Sequence, residues 1–287
     1  MTSVTAKRGN PVPPPAWHGC LDLGFTRAAD RTVLERRRVC MPLALQRSFY
    51  PEGPAVCHAL LLHPPGGMVG GDRLDITLDL SAGAEALVST PSAAKWYRGL
   101  APAAQTVRHR LAPGARLEWL PQETIVFDGA DVQQTLRVDL ALDATWCGWE
   151  ITRFGRSARG ETFDHGLWRM QAEVWRDGAP LWIDRQRLAG GSRLLRSAYG
   201  LAGAPVIGTF AWVGRAVSCD VVDAARAQWI DAQYAGDAGV TRLEHGMLCR
   251  YRGPSSSDAR AWFTAVWNLI RRHDRGRDAR PPRIWNT

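Results

Sequence analysis

Between residues 74 and 80 the chain alternates strictly: Leu74, Ile76, Leu78 and Leu80 are separated by Asp75, Thr77 and Asp79. A period of two sends every second side chain to the same face, so this stretch reads as a strand with one buried and one wet face. Similar short runs recur at 56–63, 84–90, 105–111, 115–120, 124–127, 133–140, 146–152, 167–175, 180–188, 206–213 and 240–252. Turn signals such as Ala112-Pro113-Gly114-Ala115, Asp128-Gly129 and Asp177-Gly178 separate them at hairpin-like spacing. A chain punctuated in this way is restricted to an all-β sandwich, barrel or solenoid.

Two segments carry helical spacing instead. Val221, Ala225 and Trp229 recur every fourth residue in 221–233, and 258–272 places Trp262, Val266, Leu269 and Ile270 on one face. Ser256 and Ser257 are N-cap candidates for the second helix, Arg271 and Arg272 would meet the negative end of its dipole, and Gly276 offers a stop. No internal repeat with a fixed motif is visible, which argues against leucine-rich or propeller arrays.

Residues 1–16, with prolines at 11, 13, 14 and 15, read as a disordered leader, and 17–287 as one β domain beginning at Trp17. Hydrophobic residues make up 45% of the chain and charged residues 22%, enough to bury a core. No apolar signal region and no stretch of about eighteen apolar residues is present, so a soluble, cytoplasmic protein is expected. The six cysteines (20, 40, 57, 147, 219 and 249) show no C-x-x-C pair and no histidine at zinc-finger spacing. Neither a structural zinc site nor a disulfide framework is expected from them, and the thiols should be reduced.

The formal net charge of +8 comes almost wholly from arginine, since Lys7 and Lys95 are the only lysines. That bias is typical of GC-rich genomes, and an acidic protein partner accounts for the charge as well as nucleic acid does. With thirteen tryptophans, a basic β-platform stacking on single-stranded nucleic acid or another polyanion is the alternative reading.

Three local clusters stand out. His63-Pro64-Pro65-Gly66-Gly67-Met68-Val69-Gly70-Gly71-Asp72 joins two strands, and its glycines demand positive φ or a close approach of the backbone to another group. It ends in Gly-Asp-Arg and enters a strand, unlike a phosphate-binding P-loop. Tight turns closed by an Asx hydrogen bond from Asp72 would explain it structurally, and His63 beside Asp72 is a weaker metal-ligand candidate. The others are Thr90-Pro91-Ser92-Ala93-Ala94-Lys95-Trp96-Tyr97-Arg98, which could bind an anion or an aromatic-rich partner, and Trp119-Leu120-Pro121-Gln122-Glu123-Thr124-Ile125-Val126-Phe127-Asp128-Gly129, two apolar strand pieces around a polar turn; ordinary surface is the competing reading for both. Carboxylates set in apolar strands are more informative, because a buried charge needs a partner or a polar cavity. Glu150 lies between Trp149 and Ile151, Asp184 follows Leu181-Trp182-Ile183, and Glu161 sits among Arg156 and Arg159. Neutralisation by neighbouring arginines competes with a shared water-filled cavity. No catalytic constellation emerges, which leaves a binding or scaffold protein.

Read in order, these clusters resemble the urease accessory protein D/H family. The likeness runs from Phe49-Tyr50-Pro51 through Leu61-Leu62-His63-Pro64-Pro65-Gly66-Gly67, Gly70-Gly71-Asp72, residues 90–95 and Trp119-Leu120-Pro121-Gln122-Glu123. It continues with Gly155-Arg156 and Gly160-Glu161-Thr162-Phe163 and ends at Pro281-Pro282-Arg283-Ile284-Trp285. The resemblance implies a β-helix-like or two-layer all-β fold with two helices, the second near the C-terminus, and no catalysis. It implies a helical F-type accessory protein as partner, a G-type GTPase recruited through it, and the urease apoprotein as the object of their work. It implies no tightly bound cofactor but transient passage of Ni²⁺ through the interior. Asp72, Glu150 and Asp184 match acidic positions along that passage, with His63 and Glu161 as weaker metal candidates. Spaced carboxylates suit transient coordination better than a His/Cys cage would. Arg260, Arg271, Arg272 and the basic tail at 275–283 are candidate contacts for the F-type partner.

Overall fold

A computed structural model describes residues 16–286, so the expected leader lies outside the described residues apart from Ala16. In chain order the first strands are β1 (His18–Ala28), β2 (Arg31–Cys40), β3 (Ala44–Leu45), β4 (Val56–Leu62), β5 (Arg73–Leu80) and β6 (Glu85–Ser89). They are followed by β7 (Ala94–Trp96), β8 (Ala103–Leu111), β9 (Arg116–Leu120), β10 (Thr124–Val126), β11 (Asp131–Leu140) and β12 (Thr145–Phe154). The chain closes with β13 (Leu167–Arg176), β14 (Ala179–Ala189), β15 (Val206–Val213), α1 (Cys219–Ala232), β16 (Asp237–Leu243), β17 (Gly246–Gly253) and α2 (Ser256–Arg275).

The strands form two sheets, one in the order β14-β13-β11-β8-β5-β1-β2 and one running β16-β17-β15-β12-β9-β6-β4-β3 with β10 and β7 alongside. From β4 to β13 the chain visits them alternately, so β5, β8, β11 and β13 stack in parallel in the first sheet while β4, β6, β9 and β12 stack in parallel in the second. Each coil thus adds one strand to each sheet, in keeping with the β-helix-like or two-layer all-β fold that the resemblance implies. No barrel closes. The coil period is written mainly in the turns: Ser81-Ala82-Gly83-Ala84, Ala112-Pro113-Gly114-Ala115 and Ala141-Leu142-Asp143-Ala144 stack on one another. Gly83, Gly114 and Asp143 each adopt φ near +60° in their turn, and the N–H groups of Gly83 and Gly114 donate to the carbonyls of Pro113 and Leu142 in the next coil. The closing alanines are fully buried, because only a small side chain fits where the coils meet.

The alternation at 74–80 does what the period requires: its leucines and isoleucine are buried while Asp75, Thr77 and Asp79 face outward. One core lies between the sheets. A second lies on the far side of the second sheet, where α1 and α2 pack. There Trp262, Phe263, Val266, Trp267 and Ile270 bury one face of α2 against Trp149 and Phe210. The third layer is fastened by an ion cluster. Arg271, 2% exposed, meets Glu118 of β9 and Glu52, and Trp267 Nε1 donates to Glu118 Oε1 at 2.9 Å.

The structure corrects several local expectations. The run 240–252 is a hairpin, β16 and β17, because Glu244-His245 forms a turn within it. β2 has no apolar alternation to advertise it; it is a charged edge strand, the composition that discourages further pairing. The helix cap is Ser255, whose hydroxyl accepts from the Asp258 N–H at 3.1 Å, so Ser256 and Ser257 are helical. Arg271 does not serve the helix terminus as a free cation but is buried beneath it, and so cannot be a surface contact for a partner. Arg260 is held by Glu123 at 2.8 Å. Cys20 and Cys40 are disulfide-bonded, against the expectation of reduced thiols, because the β1–β2 hairpin makes them register partners with Cα atoms 4.8 Å apart. Cys57, Cys147, Cys219 and Cys249 are free. No helix among the described residues is long and apolar enough to cross a membrane.

Candidate functional site

The first core is not uniformly apolar. Inward positions of β11 read Val132, Gln134, Leu136, Val138 and Leu140, with one amide among aliphatics. Those of β14 read Trp182, Asp184, Gln186 and Leu188. From the opposite sheet Glu150 of β12 and Thr209 of β15 stand side by side as register partners. Gln134, Trp182, Gln186, Glu150 and Thr209 border two small cavities between the sheets, and Asp184 lines neither. One, about 40 Å³, is lined by Gln105, Gln134, Glu150, Thr209, Trp146 and Trp182 among others. The other, about 10 Å³, lies against Glu150, Thr152, Gln186 and Thr209. At about 10–15 Å³ per water, the first accommodates about three or four waters and the second about one.

Glu150 is the centre of this seam. Thr152 Oγ1 donates to its Oε1 at 3.2 Å. Gln134 is oriented by Trp168, whose Nε1 donates to Gln134 Oε1 at 3.0 Å and so leaves the amide NH₂ to face the carboxylate. No cation pairs with Glu150 among the described residues, so the arginine-neutralised reading does not apply to it. Burial therefore dominates, pushing its carboxyl up to about 7 despite the opposing hydrogen bonds from Thr124, Thr152 and Gln134. Near neutrality it carries a proton about half the time. The residue is only partly buried and lines both cavities.

Asp184 is reached from Glu150 across Thr209. Arg250 Nη1 donates to Thr209 Oγ1 at 3.1 Å and pairs with Asp184 Oδ2 at 2.9 Å, while Gln186 Nε2 donates to the same oxygen at 2.7 Å. The cation that neutralises Asp184 therefore comes from β17 in the other sheet, not from its sequence neighbour Arg185, which faces outward toward Glu173. Glu150 and Asp184 belong to one polar seam that begins at Arg250, 44% exposed, and runs inward.

The other three candidates lie elsewhere. Asp72 accepts from the Trp17 N–H at 2.9 Å and the Val69 N–H at 2.8 Å, closing the turn before β5, and lines neither cavity. Around it the glycine-rich loop meets both requirements read from sequence. Gly66 and Gly71 have positive φ, and a Cβ on Gly70 would lie 2.4 Å from the Ala101 carbonyl oxygen. His63 is near this turn; partial burial lowers its pKa and Asp72 opposes that shift only in part. Glu161 is engaged by Arg156 and by the Asp128 N–H, which donates to it at 3.0 Å. It is the arginine-neutralised case.

Sequence reasoning missed the neutral oxygens: Gln134, Thr124, Thr152 and Thr209. A polar residue breaking an otherwise apolar inward row was the available signal for Gln134, whereas the threonines gave none. His109 was also missed. It is fully buried, accepts from Trp146 Nε1 through Nδ1 at 3.1 Å, and is held near pKa 3 by burial. The engaged Nδ1 places its proton on Nε2, so neither nitrogen offers a lone pair to the cavity. Nine of the thirteen tryptophans are buried, so these nine serve packing rather than a stacking platform.

Fold and site together describe an all-β scaffold with a polar seam between its sheets. Residues 18–286 match the family described as UreD urease accessory protein. The chain is 52% identical over 271 residues to the urease accessory protein UreD of Acaryochloris marina, covering 94% of this chain and 95% of the relative. It is 50% identical to that of Trichormus variabilis over 97% and 99% of the two chains, and 44% identical to that of an Azoarcus species over the full length of both. The chain belongs to the UreD urease accessory protein family: its role lies in urease maturation, and it is not itself an enzyme.

Proposed function

We propose that this protein is a nickel-insertion scaffold that docks on urease apoprotein together with an F-type accessory protein and, through it, a G-type GTPase. It receives Ni²⁺ released by the GTPase and passes it along the polar seam to the urease active site, acting in the cytoplasm. The observation that supports this reading is Glu150, a carboxylate with no cation partner among the described residues, facing two small cavities between the sheets. The ion is cargo here. In cavities this small it exchanges most of its water shell for protein oxygens, and Glu150 and Thr209 supply them in succession. Ionisation of Glu150 on arrival of the cation offsets its cost of burial, and reprotonation assists release. Asp184 marks the Arg250 end of the route, where opening the ion pair would free a second carboxylate. Asp72, His63 and Glu161 lie outside the two cavities: Asp72 closes the turn before β5, with His63 near it, and Glu161 is held by Arg156 and the Asp128 N–H.

The test is complementation of a host that expresses the urease operon without this gene. Wild-type protein should restore nickel content and urease activity. Glu150→Ala should still co-purify with apo-urease and the accessory proteins, yet leave urease largely nickel-free. Full activation by Glu150→Ala would overturn the passage. Normal activation without any copy of the gene would overturn the maturation role of this chain in that host.

A further inference from the structure

The outer face of the first sheet carries a second group of metal-binding residue types, remote in sequence and assembled from three adjacent strands. Cys20 of β1 is the register partner of Cys40 on β2 and, on its other side, of Asp75 on β5. His18 precedes Cys20 by two residues and so shares its face. Its Nε2 lies 2.6 Å from Asp75 Oδ2. The inward neighbours Gly19, Leu21, Leu74 and Ile76 are buried, which fixes all four side chains on the solvent side. With the Cys20–Cys40 bond closed, no group of three His, Cys, Asp or Glu side chains among the described residues could hold a metal ion.

We infer that reduction of this bond creates a site for one borderline divalent metal ion of the zinc class, held by the Cys20 and Cys40 thiolates with His18 and Asp75 completing the donor set. Two soft sulfurs, an imidazole and a carboxylate form the mixed S/N/O set that such ions accept and that calcium or magnesium does not. The strands are about 4.8 Å apart and rigidly hydrogen-bonded, so the donors are positioned before the ion arrives. The hydrogen bond from His18 Nε2 to Asp75 Oδ2 holds the two side chains together and leaves the Nδ1 lone pair and Asp75 Oδ1 to ligate the ion. Opening the bond requires a dithiol reductant. One of its thiolates attacks a cysteine sulfur, its second thiol resolves the mixed disulfide, and it departs as a disulfide, leaving Cys20 and Cys40 as thiols. Metal binding then releases both thiol protons to solvent. The site is gated by redox state, lies on the opposite side of the first sheet from Glu150, and is independent of the proposed passage.

Co²⁺ is the probe, titrated anaerobically into full-length protein carrying Cys219→Ser, which removes the other exposed thiol. Reduced protein should take up one equivalent with a thiolate-to-cobalt charge-transfer band, displaced by Zn²⁺, and unreduced protein should show none. The band should vanish in Cys20→Ser/Cys40→Ser, and Asp75→Asn or His18→Ala should weaken binding about tenfold or more. A reduced protein without the band, a band that survives loss of both cysteines, or unchanged affinity in both surface variants would overturn the site.

Discussion

Replacing Glu150 by glutamine separates the charge of this side chain from its shape, and its consequence for stability has a definite sign. In the unfolded chain the carboxyl titrates near its ordinary value of 4.5, whereas in the folded protein it titrates at about 7. Between those values the folded state retains a proton that the unfolded state has released. Wild-type stability therefore falls as pH rises from about 4.5 through 7 and is level above that. At about 1.4 kcal/mol per pKa unit the shift corresponds to roughly 3 kcal/mol. The cavities on which Glu150 borders admit water, so the expected loss is roughly 1–3 kcal/mol. Glutamine carries no such dependence. Any cost of presenting an amide to Thr124, Thr152 and Gln134 is the same at every pH and cancels. Urea unfolding followed by the fluorescence of the buried tryptophans, at pH 5 and pH 8, measures the difference between the two proteins. Glu150→Gln should gain on wild type by that amount between pH 5 and 8. A difference that stays constant, or wild type gaining on the variant as pH rises, would refute a buried, protonatable Glu150.

Two further perturbations probe the frame that holds the seam. Arg271→Ala leaves Glu118 and Glu52 in the interior without their cation, and should cost about 3–5 kcal/mol, read from the urea midpoint; adding Glu118→Gln should return part of that loss, since one of the stranded charges is removed. Gly70→Ala drives a Cβ to 2.4 Å from the Ala101 carbonyl oxygen and 2.7 Å from Gly99 Cα, both backbone atoms that cannot swing aside. It should lower stability by about 1–3 kcal/mol and raise proteolytic cleavage in the loop before β5; a wild-type melting temperature would show that the loop yields freely.

Much of the fold was legible because periodicity is a property of neighbouring residues. The Leu74-to-Leu80 alternation and the four-residue spacing on α2 needed no knowledge of what lies opposite. The coil repeat was concealed, because each coil needs only apolar residues inward and a small residue at its turn, and many sequences satisfy that. Ala84, Ala115 and Ala144 are its trace. The β2 edge was illegible for the opposite reason: as a charged strand covered on one side only, it has little pattern to show.

At the site, the sequence alone singled out Glu150 and Asp184 as carboxylates too deep in apolar strands to be ordinary, and it determined the all-β class, the two helices and the loop glycines. Tertiary structure decided what each charge meets. Arg271 finds Glu118 across 153 residues, Asp184 is paired by Arg250 rather than Arg185, Cys20 meets Cys40, and Glu150 meets no cation among the described residues. The physical reason is that backbone preference and side-chain period act over a few residues, whereas the electrostatic fate of a carboxylate depends on whatever strands the coil brings within a few ångströms of it, and that is fixed only when the sheets close over the seam.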